Sequence, residues 1–363
     1  MKKILSALLG LSLAATLGAQ APKWSEITWT EGSDLTMVGK LCTDTPNPYH
    51  RVDTVKYKGF TRGELDQVIS STGLALAFRT NSRYIAVKGE YGYKNYGVNT
   101  NGIALRGYDL YVKKDGKWLW ASAACNGVDK EGDPLFVARE FDGTMKECLL
   151  YLPMYSELRS LQIGVISGSV IEKVDNPFRH RVGIFGSSFT HGISTSRAGM
   201  SYPVQFTRNT GIQMLSLGCS GNCRLQPYFA DVLCNVDVDA FVFDSFSNPS
   251  IAQIEERLFP FIEKVQAAHP GIPLIFQHTI YREGRNFNTQ AEKSEQDRID
   301  YVDSVMNIAV KKYDDVYFIK TNATSKSHET SVDGVHPGDY GYTLWAESIE
   351  KQILKILRKY GLK

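Results

Sequence analysis

The chain has 363 residues, of which 43% are hydrophobic and 22% are charged, and its formal net charge at pH 7 is +2. This composition excludes a disordered chain, and the near-neutral charge provides no general attraction to nucleic acid or anionic lipid. The length exceeds that of a typical single hydrophobic core, so two domains are expected.

The N-terminus has the pattern of a secretory signal peptide. Lys2 and Lys3 form a positive end, an uncharged apolar run covers residues 4–17, and small residues precede an expected cleavage after Ala19. The apolar run is shorter than the roughly 20 residues that cross a bilayer, and no cysteine stands at the cleavage point to accept lipid. We therefore expect residues 1–19 to be removed, and the mature chain, with a formal charge of zero, to be exported without a membrane anchor.

Residues 20–178 contain short strand-like runs separated by turn residues, which predicts an all-β, β-sandwich-like domain. The clearest hairpin joins residues 108–112 to residues 118–120 through Asp115-Gly116, because this dipeptide tolerates the positive φ of a tight turn. Aromatic residues are dense in this region. They could stack on sugar rings if exposed, although alternating Tyr and Trp in strands more often face a core.

Residues 179–363 alternate apolar strands with amphipathic helices, the pattern of parallel βαβ units. Strands are predicted over residues 181–185, 213–217, 240–244, 273–277 and 316–320. The principal helices are predicted over residues 252–268, 292–312 and 342–360. Five parallel strands with helices on both faces form a three-layer α/β/α, flavodoxin-like domain, and its ligand site is expected at the carboxyl ends of the strands.

The mature chain would keep six cysteines: Cys42, Cys125, Cys148, Cys219, Cys223 and Cys234. An oxidising compartment permits disulfides, but spacing alone does not determine which cysteines pair. We expect one or two disulfides beside free buried thiols. Cys219 and Cys223 have a spacing found in metal sites, but no second Cys or His pair follows, so neither zinc nor another metal is expected.

A candidate nucleophile follows the first strand of the α/β region, in Gly186-Ser-Ser-Phe-Thr-His-Gly192. A serine in a strand-to-helix turn exposes its hydroxyl above the sheet edge, close to a helix start that favours negative charge. Ser188 has both features. A Gly-Ser-Ser turn taken alone is, however, more often a helix cap.

A base for this serine is predicted in Asp333-Gly-Val-His336-Pro337, just before the last helix. A serine hydroxyl needs a neighbouring base, and that base needs a carboxylate to fix its tautomer. An isolated Asp-x-x-His is usually a cap beside a surface histidine. This loop follows the last strand and ends at the same sheet edge as Ser188, so His336 is predicted as the base and Asp333 as its partner.

Two further loops offer donors for the oxyanion of acyl transfer. Gly221 follows the second strand and can present its backbone N–H, and Asn248 follows the third strand and can present its side-chain amide. Either one alone is typical of an ordinary βα turn.

Loops carrying Ser, Gly, Asn and Asp-x-x-His in this order resemble those of the SGNH (GDSL-like) hydrolases, from about residue 181 to the C-terminus. Gly107-Tyr-Asp-Leu-Tyr111 is similar to the GxDLY signature of a branch with a β-rich N-terminal domain. The resemblance implies Ser188, His336 and Asp333 as a catalytic triad. It also implies Ser188, Gly221 and Asn248 as oxyanion donors.

The same resemblance implies an esterase without metal or cofactor that removes small acyl groups, acetate above all, from carbohydrate. This chain departs from the family pattern in two places. Ser187 stands where many relatives have Asp, and Asn248 lies in Ser-Phe-Ser-Asn-Pro instead of the common Gly-x-Asn-Asp. No long apolar lid is visible between the βα units, which disfavours a long-chain lipase.

Several alternatives remain open at this point. His191 and His278 lie at strand ends and could touch substrate, but packed or capping histidines are more usual. Arg282 could meet an anionic sugar or pair with Glu283. The chain could also be a glycan-binding protein on a silent scaffold, or an acyltransferase that uses the same site.

Overall fold

The computed structural model describes residues 20–95 and 97–362, and the predicted signal peptide, residues 1–19, lies outside the described residues. No helix in these two ranges combines the length and apolarity that a bilayer crossing requires. The described chain consists of a β-rich region, residues 20–178, followed by an α/β region, residues 179–362.

The described β-rich region contains two antiparallel sheets and two short α-helices, besides three single-turn 3₁₀ helices. Its elements are β1 (Ile27–Glu31), β2 (Thr36–Val38), α1 (Arg62–Val68), β3 (Ala75–Thr80), β4 (Ile85–Lys94), α2 (Gly102–Arg106), β5 (Tyr108–Lys114), β6 (Lys117–Ala124), β7 (Leu135–Ala138), β8 (Lys146–Tyr151), β9 (Ser156–Ile166) and β10 (Ile171–Lys173). The strand orders are β1-β9-β4-β7 and β10-β3-β8-β5-β6, with β2 beside β3. One apolar cluster joins residues from both sheets, which makes the region a sandwich.

The second sheet is buried on both faces, as the alternation along β3 illustrates. Leu76 and Phe78 point into the sandwich core, while Ala75 and Ala77 belong to a separate cluster that includes Val204 of the α/β region. Successive side chains of a strand point to opposite faces, so this sheet packs against its partner sheet and also against the second region. Alanine side chains are small enough to let the two regions approach closely.

The predicted hairpin between β5 and β6 is confirmed. Asp115 and Gly116 both have positive φ, 51° and 76°, as a tight two-residue turn requires. Most of the aromatic residues are packed. Tyr108 and Tyr111 are buried, and the half-exposed Trp120 donates its indole N–H to Asp109 at 3.0 Å.

The α/β region has five parallel strands in the order β12-β11-β13-β14-β15, with helices on both faces. Its elements are β11 (Arg179–Gly186), α3 (Ser188–His191), α4 (Tyr202–Thr210), β12 (Ile212–Gly218), α5 (Pro227–Leu233), β13 (Ala240–Asp244), α6 (Ile251–Ala268), β14 (Leu274–Gln277), α7 (Thr289–Lys312), β15 (Val316–Ile319) and α8 (Asp339–Lys359). The predicted fold class, a three-layer α/β/α domain preceded by a β-rich region, is confirmed.

The Gly-Tyr-Asp-Leu-Tyr signature on β5 lies at the contact between the two regions. Asp109 is fully buried and accepts a hydrogen bond from Gly199 N at 2.8 Å. The guanidinium of Arg208 lies 4.1 Å from the centre of the Tyr111 ring. Burial raises the pKa of the Asp109 carboxyl, and nearby Arg197 partly opposes this rise. The signature therefore contributes directly to the docking of the two regions.

The connection between the regions is short. It covers residues 174–178, between the end of β10 and the start of β11, and its last residue, Phe178, is buried. Thr36 donates a hydrogen bond to the carbonyl of Val174, which ties the connection to the sandwich.

All six cysteines lie in the described part of the chain and are free, so the expectation of one or two disulfides is wrong. The thiols of Cys42, Cys219 and Cys223 belong to one apolar core of the α/β region, where they pack as small apolar side chains. Burial raises the pKa of the Cys219 thiol to about 12.

We predict that six thiols per chain react with Ellman's reagent when the protein is unfolded in guanidinium without reductant, because none is engaged in a disulfide. A sample reduced beforehand and then desalted provides the control. A result of four thiols or fewer, rising to six after reduction, would contradict the assignment.

Candidate active site

The turn that carries Ser188 is built between β11 and α3. Ser187 caps the helix by accepting a hydrogen bond from Phe189 N at 3.2 Å. A side chain at Gly186 would overlap Thr190, so glycine at this position lets α3 pack closely against the end of β11. Ser188 is the first residue of α3 and is 6% exposed, with its hydroxyl directed to the carboxyl edge of the sheet.

A buried carboxylate supports this turn from below. Asp244, at the end of β13, accepts hydrogen bonds from Ser187 N at 3.2 Å, from Ser187 Oγ at 2.8 Å and from Thr190 Oγ1 at 2.9 Å. Burial raises the pKa of the Asp244 carboxyl to about 6, against the effect of these hydrogen bonds. The arrangement explains why serine occupies position 187, since an Asp there would place two carboxylates side by side.

Ser188 meets both partners that the sequence predicts. Its Oγ lies 3.0 Å from His336 Nε2, and His336 Nδ1 lies 2.8 Å from Asp333 Oδ2. The other carboxylate oxygen of Asp333 accepts the backbone N–H of His336 at 2.8 Å. The three side chains therefore form one continuous hydrogen-bonded line from hydroxyl to carboxylate.

The loop that carries Asp333 and His336 is fixed by neighbouring segments. Gly284 N donates to the carbonyl of Gly334 at 2.6 Å, and Glu283 accepts hydrogen bonds from Thr330 and Ser331. Gly334 has a φ of +84°, which a residue with a side chain would adopt only with strain. These contacts hold the loop beside the turn that carries Ser188.

Because Glu283 is used in this way, it does not pair with Arg282. Arg282 instead donates to Glu295 at 2.8 Å and to the carbonyl of Ser247 at 2.9 Å. Arg298 donates to the same carbonyl at 3.3 Å. The pairing proposed for Arg282 with Glu283 is therefore wrong, and Arg282 instead braces the segment that leads to Asn248.

The two predicted oxyanion donors lie in loops that contact each other. Gly221 has a φ of +70°, and its turn is closed by Asn222 N, which donates to the carbonyl of Cys219 at 3.0 Å. Asn248 Oδ1 accepts the N–H of Cys223 at 3.2 Å, which orients its amide. Among the described residues, neither the N–H of Gly221 nor the amide nitrogen of Asn248 has a hydrogen-bond acceptor, so both remain able to donate.

The Gly221 loop is held from the β-rich region by a residue that the sequence did not reveal. Arg51 is completely buried and donates to the carbonyls of Ser216 at 3.3 Å, Gly218 at 3.0 Å and Ser70 at 3.1 Å. Gln67 adds a hydrogen bond to the carbonyl of Ser220 at 2.9 Å. An arginine so far along the chain from the loop carries no local signal of this role.

The two other histidines near the site are packed. His191 is buried, lies 2.7 Å from Thr72 Oγ1 and stacks on Tyr155 with ring centres 3.8 Å apart. Burial lowers the pKa of its imidazole well below the ordinary value. His278 pairs with Asp303 at 3.2 Å. Within the described residues, no three His, Cys, Asp or Glu side chains are grouped so as to hold a metal ion.

Family comparisons match both halves of the chain. Residues 179–354 match the model of the GDSL-like lipase/acylhydrolase family, and residues 27–171 match the GxDLY model, which describes the N-terminus of SGNH-hydrolase-type esterases. No curated protein matches the chain.

Several solved structures share the fold of this chain. A protein described as a GDSL-like lipase from Bacteroides ovatus is 36% identical, with a TM-score of 0.87, and the match covers 92% of this chain and 98% of that one. A salicylyl-acyltransferase from a tetracycline biosynthetic pathway has the same fold at 19% identity and a TM-score of 0.69, over 92% and 98% of the two chains. A family two carbohydrate esterase from Clostridium thermocellum, solved with cellohexaose, has it at 14% identity and a TM-score of 0.57, over 80% and 94%.

We predict that the buried carboxyl of Asp244 makes stability depend on pH. Its folded-state pKa of about 6 exceeds its unfolded value, so its contribution is fully present below the unfolded pKa and is lost as pH rises through the folded one. Between about pH 4.5 and about pH 8, the free energy of unfolding of the wild type should fall by about 2 kcal/mol relative to that of Asp244→Asn.

Urea unfolding of both proteins at the two pH values measures this difference, and every other titrating group cancels because both proteins contain it. A free-energy difference that stays constant with pH would show that Asp244 does not titrate as described.

Proposed function

This chain belongs to the GDSL-like lipase/acylhydrolase family and is a carboxylic ester hydrolase of the SGNH type, and we propose that it releases short acyl groups, acetyl above all, from carbohydrate esters. The observation that carries the proposal is the unbroken line of hydrogen bonds from Ser188 through His336 to Asp333. We also propose, from the pattern of residues 1–19, that the protein is exported.

In the proposed reaction, neutral His336 takes the proton of Ser188 as Oγ attacks the ester carbonyl. Asp333 holds the ring so that Nε2 faces the hydroxyl, and it stabilises the imidazolium that forms. His336 then returns the proton to the leaving alcohol, and an acyl-enzyme remains on Ser188. A water molecule, deprotonated by the same imidazole, attacks this acyl-enzyme and releases the acid.

The tetrahedral oxyanion would be bound by three donors: Ser188 N–H, Gly221 N–H and the side-chain amide of Asn248. Such donors act where charge develops in the transition state, and removal of one typically costs about 3 to 4 kcal/mol of its stabilisation. The bond between Asn248 Oδ1 and Cys223 N supports this role, because it leaves the amide nitrogen as the free end. Arg51 and Arg282 act indirectly, by holding the two loops that carry these donors.

Two observations favour a small acyl group on a polar alcohol. The segments that follow β11, β12 and β13 are short, and the longer connection between β15 and α8, residues 320–338, is mostly polar, so none of these described segments has the composition of a long apolar lid. Next to the Asp333 loop lies a shallow depression of about 530 Å³, and its lining includes hydroxyl and amide side chains from both regions, among them Asn99, Thr100, Asn101, Ser194 and Ser196. Such groups suit the hydroxyls of a sugar.

Similarity to other enzymes supports this choice of substrate. The fold is shared with carbohydrate esterases of family two, which makes acetylated sugars the first class to test. The alternative of a silent scaffold under a glycan-binding sandwich is disfavoured by the connected Ser188, His336 and Asp333, and by the burial of Tyr108 and Tyr111.

We predict that Ser188→Ala lowers kcat for p-nitrophenyl acetate by about four orders of magnitude or more, because the covalent route is lost. His336→Ala should have a comparable effect and Asp333→Asn a smaller one. Ser25→Ala is the matched control, because Ser25 is exposed and far in sequence from Ser188, and it should leave kcat unchanged. Turnover by Ser188→Ala at the wild-type rate would refute the esterase assignment to this serine.

We predict that kcat/KM for p-nitrophenyl acetate is at least as high as that for the butyrate, because a site without an apolar channel gains nothing from added methylenes. Acetylated oligosaccharides should release free acetate, measured by an enzymatic acetate assay. Faster cleavage of butyryl or longer esters would contradict the acyl preference, and recovery of the acyl group on a sugar acceptor would indicate transferase activity.

A further inference from the structure

We propose that Asn99, from the β-rich region, is a positioning residue for the Asp333–His336 pair. The inference rests on the proposed function, since it assigns Asn99 a role within that reaction. Asn99 Nδ2 donates to Asp333 Oδ2 at 2.8 Å, and this same oxygen lies 2.8 Å from His336 Nδ1. The carboxylate of the α/β region is thus held in part by a loop of the other region.

With this bond, the carboxylate of Asp333 is fully engaged. Oδ1 accepts the backbone N–H groups of Val335 at 3.0 Å and His336 at 2.8 Å, while Oδ2 accepts from the His336 ring and from Asn99. The first three bonds come from the same short loop and move with it. Asn99 is the donor that ties the carboxylate to a different part of the molecule.

The orientation of the Asn99 amide follows from its partners. An ionised carboxylate only accepts hydrogen bonds, so the NH₂ group must face Asp333. The amide oxygen accepts instead from Thr100 Oγ1 at 3.4 Å. Thr100 Oγ1 also accepts the N–H of Ser194 at 2.8 Å, in the segment that follows α3. Asn99 and Thr100 therefore connect the loop that carries Asp333 with the segment that follows α3.

The partial exposure of Asp333 explains why an added hydrogen bond from Asn99 is useful here. A triad carboxylate is commonly buried, which restricts its rotation. The side chain of Asp333 is instead 31% exposed and that of His336 is 19% exposed. Partial burial disfavours ionisation of Asp333, but the hydrogen bonds from His336, Asn99 and Val335 outweigh it and hold the pKa of this carboxyl below its ordinary value. Without Asn99, one lone pair of Oδ2 would be taken by water, and the carboxylate would lose its only described side-chain bond to the β-rich region.

Removing the donor should also alter the proton affinity of the imidazole. A carboxylate that loses an N–H donor carries more charge density at Oδ2 and favours the imidazolium more strongly. A carboxylate at position 99 would add a second negative charge beside the ring. The other charged groups around the pair, Glu283, Arg282 and Asp339, are the same in all variants, so a shift in the pH profile reports on position 99.

The test compares Asn99→Ala and the nearly isosteric Asn99→Asp with the wild type, using p-nitrophenyl acetate across a range of pH. We expect kcat to fall roughly 10- to 100-fold with KM nearly unchanged, by analogy with the loss seen when hydrogen-bond partners of metal ligands are removed. The acid limb of kcat/KM should move to higher pH, most in Asn99→Asp. Asn95→Ala is the matched control, because Asn95 lies in the same loop but bonds Gly97 N at 2.7 Å.

Thermal unfolding of each variant shows whether it is folded, and Asn99→Asp keeps the test valid if the alanine variant is not. Wild-type kcat and an unmoved acid limb in both Asn99 variants would overturn the inference. Loss of turnover in Ser188→Ala would then leave the proposed function standing. Retained turnover in Ser188→Ala would overturn both.

Discussion

The rest of the molecule depends on the hydrogen bonds of the buried Arg51 guanidinium, which has no carboxylate partner among the described residues. Arg51 of the β-rich region donates only to uncharged carbonyl and hydroxyl oxygens among the described residues. Two of these acceptors are the carbonyls of Ser216 and Gly218 at the end of β12. Its other hydrogen bonds go to Ser70 and Gln67 of its own region, so the two bonds to β12 are the ones that link the regions. Removing their acceptors while the guanidinium stays buried would cost several kcal/mol. The same bonds fix the start of the Gly221 loop, so docking and the geometry of the active site are coupled.

The site is therefore assembled across the region boundary and not on the α/β sheet alone. The parallel sheet brings the ends of β11, β12 and β13 to one edge, and this places the Ser188, Gly221 and Asn248 loops together. The β-rich region then supplies Arg51 behind one loop and Asn99 beside another. Asp109 of the β5 signature and the facing alanines of β3 contribute to the surface that keeps both in place.

The sequence was sufficient to predict features that depend on residues close together along the chain. Each predicted strand of the α/β region is present, because continuous apolar runs between turn residues have few other uses. The ordered motifs also predicted that Ser188, His336 and Asp333 come together, and their side chains form one hydrogen-bonded line. The sequence was insufficient where a role depends on a partner far along the chain. No motif around Arg51 or Asn99 indicates its role. Arg282 pairs with Glu295, which lies in the following helix, α7. The cysteines are free, and four of them are buried.

The short connection at residues 174–178 has a consequence for how this architecture can change. Where two modules are joined by a loose tether, either one can be exchanged by recombination without harm to the other. Here Phe178 is buried within the junction itself, and the β10 edge immediately before it is paired with β3. An N-terminal half exchanged by recombination would have to reproduce the junction, the guanidinium of Arg51 and the amide of Asn99 together. The two halves are therefore expected to be inherited as one unit.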